Sequence, residues 1–131
     1  MTDTDKSIEE LENDHWGEAA FGSYVVRTCH QARQKPIRCL SDEEIRCLIG
    51  QKIGLRFLLP VAVDLLRDDP LIAVTYFEGD LLLALLRLDI GDWTDHPDAL
   101  RRFLTILRDN RAEIGACGEI PDALTEKYLS L

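Results

Sequence analysis

The stretch that most constrains this chain runs over residues 41–70, SDEEIRCLIGQKIGLRFLLPVAVDLLRDDP. Ser41 followed three residues later by Glu44 is a capping-box signature: the serine hydroxyl accepts one free amide of the first helical turn and the glutamate reaches back for another. A helix is therefore predicted to start there. Ile45, Leu48, Ile49, Lys52 and Ile53 fall at i, i+3, i+4, i+7 and i+8 with four of the five apolar, the spacing of an amphipathic helix, and Gly54 is expected to end it. From residue 55 to residue 66 the apolar side chains leave almost no polar stripe. Other elements surround a helix of that kind, so this run is the predicted centre of the core. Pro60 lies inside it, removes a backbone donor and disfavours helix at Leu59, which predicts a kink or a break into two segments. Asp64, the odd polar residue of the run, reads as a side chain reaching the surface to pair with Arg67 at i+3. A functional carboxylate is the competing reading.

The remaining chain repeats the pattern of capped apolar helices. Ser7 with Glu10 is a second capping box, opening a short helix within an acidic N-terminal arm over residues 1–13 that is expected to be loosely held. Residues 1–20 hold seven acids against one lysine. Asp14-His15-Trp16-Gly17 reads as the anchor of that arm, the tryptophan burying its ring and the glycine permitting a turn. Ser23 is placed to cap a helix over residues 24–34, with Val25, Val26, Cys29 and Ala32 or Arg33 on one side and Pro36 stopping it; the two valines would also suit a strand. Arg27, Arg33, Lys35 and Arg38 make this the one basic section, read for the most part as a solvated helix face. Residues 71–77, LIAVTYF, favour one short strand or an extended connection, and with no second strand candidate to pair with, a sheet is not expected.

Glu78-Gly79-Asp80 is a turn with Asp80 placed to cap a helix over residues 81–89. Gly91 ends that helix and Asp92-Trp93 opens the next connection. Pro97 suits the first turn of an amphipathic helix that carries Leu100, Phe103, Leu104, Leu107, Arg111 and Ile114 along one face. Gly115, Gly118 and Pro121 punctuate its end before a last short helix over residues 123–128. No repeat, low-complexity tract or linker interrupts the sequence. The 131 residues have the length of one ordinary domain. The predicted fold is all-α: a single-domain helical bundle over residues 1–131, with a buried central helix and at most one short extended segment.

Charge narrows the partners. A formal net charge of −9 repels phosphate backbones and anionic lipid, so nucleic acid and membrane are poor partners and a basic protein is a good one. The acidic start lacks the basic and apolar pattern of an export signal, and the apolar run over residues 81–86 is far short of the roughly 20 residues that cross a bilayer. A cytosolic protein without a transmembrane segment is expected. Cys29, Cys39, Cys47 and Cys117 form no C-x-x-C pair and read as reduced thiols. A zinc site drawn from Cys29, His30, Cys39 and Cys47 is the alternative, but its spacings fit no standard ligand pattern. No metal and no cofactor are expected. His15, His30 and His96 are the only neutral-pH bases, each beside turn or cap residues that account for it, and no hydrolase, nucleotide-binding or metalloprotease motif is present; no catalytic residue is predicted. Asp68 with Asp69 and Glu78 with Asp80 lack the ligand alternation of a calcium loop and suit helix ends. Residues 64–98 hold nine acids and two arginines, most of the acids at helix ends and turns, so a helical core would display them on connecting loops. Solubility alone is the competing explanation.

The block Leu48-Ile49-Gly50-Gln51-Lys52-Ile53-Gly54-Leu55 continues as Phe57-Leu58-Leu59-Pro60-Val61-Ala62, then Asp69-Pro70-Leu71, then Glu78-Gly79-Asp80-Leu81-Leu82, then Trp93 before Pro97. Together with Asp14, Trp16-Gly17, Ser23, Cys29-His30 and Lys35-Pro36-Ile37 upstream, this succession resembles the contact-dependent growth inhibition (CDI) immunity proteins of bacteria, over about residues 11 to 100. Residues 71–77 depart from the family pattern, where a shorter approach richer in glycine and acids is expected. The resemblance implies a small cytosolic protein that binds the C-terminal toxin domain of a cognate large exoprotein and blocks it. Many such toxins are nucleases with basic substrate grooves, which an acidic inhibitor would occupy in place of phosphate. Exposed acids and aromatics near helix ends are then the expected toxin-binding residues: Glu78, Asp80, Asp92, Trp93 and Asp95, with Tyr76 as an aromatic anchor. A helix cap and a core residue are the competing roles of Asp80 and Trp93. The alternative function is that of an acidic helical adaptor or regulatory protein binding a basic host protein; an enzyme has least support.

Overall fold

Side-chain caps fix where the first helices begin. The structure, a computed structural model that describes residues 4–14 and 24–131, forms both predicted capping boxes. Ser41 Oγ accepts the Glu44 amide at 3.1 Å while the Glu44 carboxylate accepts the Ser41 amide at 3.0 Å. Among the described residues the chain forms eight α-helices: α1 (Ile8–Glu12), α2 (Tyr24–Ala32), α3 (Asp42–Gly50), α4 (Leu55–Asp68), α5 (Asp80–Leu86), α6 (Pro97–Asp109), α7 (Arg111–Ala116) and α8 (Asp122–Leu129). Short 3-10 turns occupy Ile37–Cys39 and Ile90–Trp93. No strand is formed among the described residues beyond an isolated bridge between Ser7 and Pro36. The fold is an all-α helical bundle.

Helix α4 packs against α3, α5 and α6, and α5 packs against α3, α4 and α8. The more enclosed of the two is α5, which buries Leu81, Leu82, Leu83, Leu85 and Leu86. Helix α4 buries Leu58, Leu59, Ala62, Val63 and Leu66 but keeps Arg56, Asp64 and Arg67 in solvent. The buried central helix is thus the short leucine helix, and the longer apolar run is a wall beside it. Asp64 pairs with Arg67 as its spacing suggests, at 3.8 Å, and also with Arg102 of α6 at 2.6 Å, which ties the two helices together. Pro60 does not divide α4. Its missing amide leaves only the carbonyl of the exposed Arg56 without the usual i+4 donor, on a part of the helix that water reaches.

Three aromatic rings close the core behind α5. Trp93 stacks on Phe103 with centroids 5.0 Å apart, and Tyr128 meets both rings edge-on. Trp93 Nε1 donates to the Tyr128 hydroxyl at 3.1 Å, and that hydroxyl donates to the Leu88 carbonyl at 2.7 Å. Burial pushes the Tyr128 hydroxyl up to about 12, so it stays a donor throughout the neutral range.

Several junctions differ from expectation. Residues 4–14 are docked rather than loose: Ile8 is fully buried, Arg38 pairs with Asp5 at 2.7 Å, and Arg33 pairs with Glu12 at 2.9 Å. Arg33 is also the exception to the solvated basic face, being only 1% exposed. The expected anchor at residues 15–17 and the cap at Ser23 lie outside the described residues. Helix α3 ends at Gly50, because Lys52 takes the left-handed conformation (φ 57°) and the Lys52 and Ile53 amides turn back onto the carbonyls of Ile49 and Leu48, each at 2.9 Å. Gly54 (φ 65°) instead opens α4. Helix α6 stops at Asp109, and the Asn110 side chain caps the Ile106 carbonyl, so Ile114 is buried from the separate helix α7.

Candidate functional site

The connection from α4 to α5 has no regular structure because one carboxylate organises it. Asp80 Oδ1 accepts the Val74 amide at 2.9 Å, and Oδ2 accepts the amides of Thr75 and Tyr76, each at 2.8 Å. Burial by itself would raise the Asp80 pKa; the hydrogen bonds from the amides of Val74, Tyr76, Thr75 and Phe77 outweigh it and hold the group below the ordinary carboxylate value. This side chain, 4% exposed, is committed to its own loop, and the cap position of α5 belongs to Gly79 (φ 88°). Pinning the loop leaves Tyr76 69% exposed. The Arg46 guanidinium of α3 lies 4.9 Å from the centre of the Tyr76 ring, and its Nε donates to Thr75 Oγ1 at 2.9 Å.

Beside Tyr76 a groove of about 350 Å³ runs between α3 and α5. Its floor rests on the buried Ile49, Leu83 and Leu88, the part-exposed Phe77 and Ala84 contribute apolar surface, and Arg46, Gln51 and Arg87 supply polar edges. Lys52 also lines the groove and bridges Asp89 and Asp92, each at 3.1 Å. These contacts raise the Lys52 pKa, and the hydrogen bond from Lys52 lowers that of Asp89. Glu78 is exposed in the loop that carries Tyr76, and Asp95 is exposed just past the 3-10 turn; neither has an ion-pair partner among the described residues. Acids thus lie in the chain before and after α5, while Arg46 and Arg87 line the groove itself.

The family model of the CDI immunity proteins matches residues 10–103. The chain belongs to this family. No curated protein and no solved structure matches it. The span matching the CDI immunity proteins begins in α1, ends in α6 and contains every residue of the groove. The block over residues 48–55 is the turn from α3 into α4. Leu48 and Ile49 are core, Lys52 makes the left-handed turn, and a Cβ on Gly54 would stand 2.6 Å from Ile8 Cδ1.

The residues expected to meet the toxin divide into three groups. Tyr76 and Glu78 share the loop before α5 and are exposed. Asp92 and Asp95 lie past its other end, separated from the first pair by a seven-residue helix about 10 Å long. Asp80 and Trp93 are inside the molecule, Trp93 being 1% exposed; the first holds the loop and the second holds the aromatic cluster. Arg46 and Arg87 were missed as lining residues. Arg87 carries a visible signal, a lone charge closing the leucine run, whereas nothing in the local sequence marks Arg46. Among the described residues no three His, Cys, Asp or Glu side chains converge on a metal position. Cys29 and Cys47 instead meet each other, with sulfurs 3.5 Å apart and buried, and burial first, then the Cys47 contact, pushes the Cys29 thiol up to about 12. No helix among the described residues is long and apolar enough to cross a membrane.

Proposed function

We propose that this CDI immunity protein acts in the cytosol and neutralises a nuclease toxin domain by covering the basic groove in which that domain holds its substrate. The observation that carries the reading is the exposure of Tyr76 and Glu78 in the loop before α5 and of Asp95 past its other end, with the part-exposed Asp92 beside Lys52 of the groove. An aromatic anchor flanked by carboxylates suits a basic cleft: the ring supplies buried contact and the acids supply steering. Asp80 and Trp93 contribute indirectly, by fixing the loop and the turn that carry those side chains. A stable complex of this kind buries on the order of 800 Å² on each partner. Inhibition is occlusion, with no bond made or broken.

The test is competition. The toxin domain encoded beside this chain is expected to bind it and to lose nuclease activity in proportion to the complex formed, with nucleic acid and immunity protein excluding each other. A toxin domain that is bound while still holding its substrate would refute occlusion. A toxin domain that is not bound at all, with a housekeeping protein recovered instead, would return the chain to the adaptor reading.

A further inference from the structure

Three cations, Arg46, Lys52 and Arg87, line the α3–α5 groove against one acid, Asp80, and only Lys52 among the three has ion-pair partners among the described residues. We infer that the groove receives an acidic side chain, an aspartate or glutamate from a loop of the toxin domain, between Arg46 and Arg87. The inference rests on the proposed immunity function and adds the polarity of one contact within it.

The groove holds two uncompensated guanidinium groups. Arg87 is exposed and has no ion-pair partner among the described residues, on a chain with 24 acids against 15 basic residues. Arg46 uses Nε on Thr75 and its face on Tyr76, which orients the group and leaves its terminal nitrogens without a hydrogen-bond partner among the described residues. The other charges of the groove are already answered: both Asp80 oxygens take loop amides, and Lys52 is held by Asp89 and Asp92. An arginine fork matches a carboxylate or a phosphate bidentately. The surroundings decide between them. Asp89 and Asp92, held at the groove by Lys52, repel a polyanion such as RNA, while one carboxylate with its short apolar stem suits the part-exposed Phe77 and Ala84 and the Tyr76 ring. An interface that alternates the sign of charge in this way fixes register and rejects non-cognate toxins more strongly than uniform acidity does.

The experiment measures binding of a catalytically inactivated cognate toxin domain to the full chain and to its Arg87→Glu, Arg46→Gln and Arg87→Lys variants. Arg108→Glu, an exposed arginine of α6 outside the groove, is the control. Expected are losses of about tenfold or more for Arg87→Glu and Arg46→Gln, expressed in faster dissociation, a smaller loss for Arg87→Lys, and less than about twofold for Arg108→Glu. Helical circular dichroism checks that the variants are folded. Reversal of a toxin Asp or Glu to Arg that restores binding to Arg87→Glu identifies the partner carboxylate. Wild-type binding with both groove variants within about twofold overturns the inference and leaves the immunity reading intact. Absent wild-type binding overturns the immunity reading itself. Groove protection by inorganic phosphate or a short RNA, with toxin affinity unchanged in the variants, overturns the carboxylate assignment.

Discussion

At Gly54 two demands meet, a φ of 65° and the Ile8 side chain so near that a Cβ would stand 2.6 Å from it. Gly54→Ala is expected to destabilise the fold by about 1–3 kcal/mol, read as a shift in urea midpoint. In combination with Ile8→Ala, which removes the clashing atoms, the loss should be smaller than the sum of the two single losses. Asp80 presents a sharper case, since its carboxylate is the shared acceptor of three loop amides. Asp80→Asn keeps the size but sets an amide donor against backbone donors, with an expected cost of about 2–3 kcal/mol. Because the folded pKa lies below the ordinary value of 3.8, the stability it contributes is fully present above that value and is lost as pH falls through the folded value. Acid unfolding followed by circular dichroism should accordingly show a shallower decline below about pH 4 for Asp80→Asn than for the wild type.

Among the elements, α5 is fixed at its two ends by different means. Its start is held by the Asp80 loop, and its end by the Tyr128 hydroxyl of α8, which bonds the Leu88 carbonyl and Trp93 Nε1. Tyr128→Phe leaves that carbonyl and that indole N–H unpartnered inside the core and is expected to cost about 2–3 kcal/mol in a denaturant melt. Helices α2 and α3 meet through Cys29 and Cys47, and the raised Cys29 pKa leaves little thiolate at neutral pH. Alkylation followed by mass spectrometry should modify the exposed Cys39 readily and spare Cys29 and Cys47 until the fold is opened. Rapid labelling of Cys29 in the native protein would mean that the α2–α3 contact opens freely.

For the molecule as a whole the governing quantity is the net charge of −9. With the basic toxin domain proposed above as partner, the association rate should fall by about tenfold or more from low to high salt, with the dissociation rate changing far less, because screening acts on approach and short-range packing acts on departure. Stopped-flow mixing at graded ionic strength checks this. A salt-independent association rate would remove steering from the account. In the contact proposed for Arg46 and Arg87 the charge would act at short range only, on a chain whose net charge is negative.

The helical class was legible in the chain because capping boxes and apolar spacing are local: Ser7 with Glu10 and Ser41 with Glu44 act within one turn, and the leucines over residues 81–86 are apolar in any context. Local signals also indicated that Asp64 would pair at the surface. They could not say that α5, more than α4, is the enclosed helix, since an apolar face records a tendency to be covered and not which element covers it. Nor could they separate the acids by role. Asp80 and Glu78 are two residues apart in one turn, yet the first faces inward onto its own loop and the second faces solvent, a difference set by the path of residues 74–77. Exposure is not written in a residue type, so Trp93 reads from sequence as either an interface aromatic or a core residue; Phe103 and Tyr128, distant in sequence, supply the partners that bury it. Arg46 lies in α3 and Arg87 just past the end of α5, and only the packing of α3 on α5 makes them one groove. Composition determined the sign of the surface, and tertiary packing decided where that sign is interrupted.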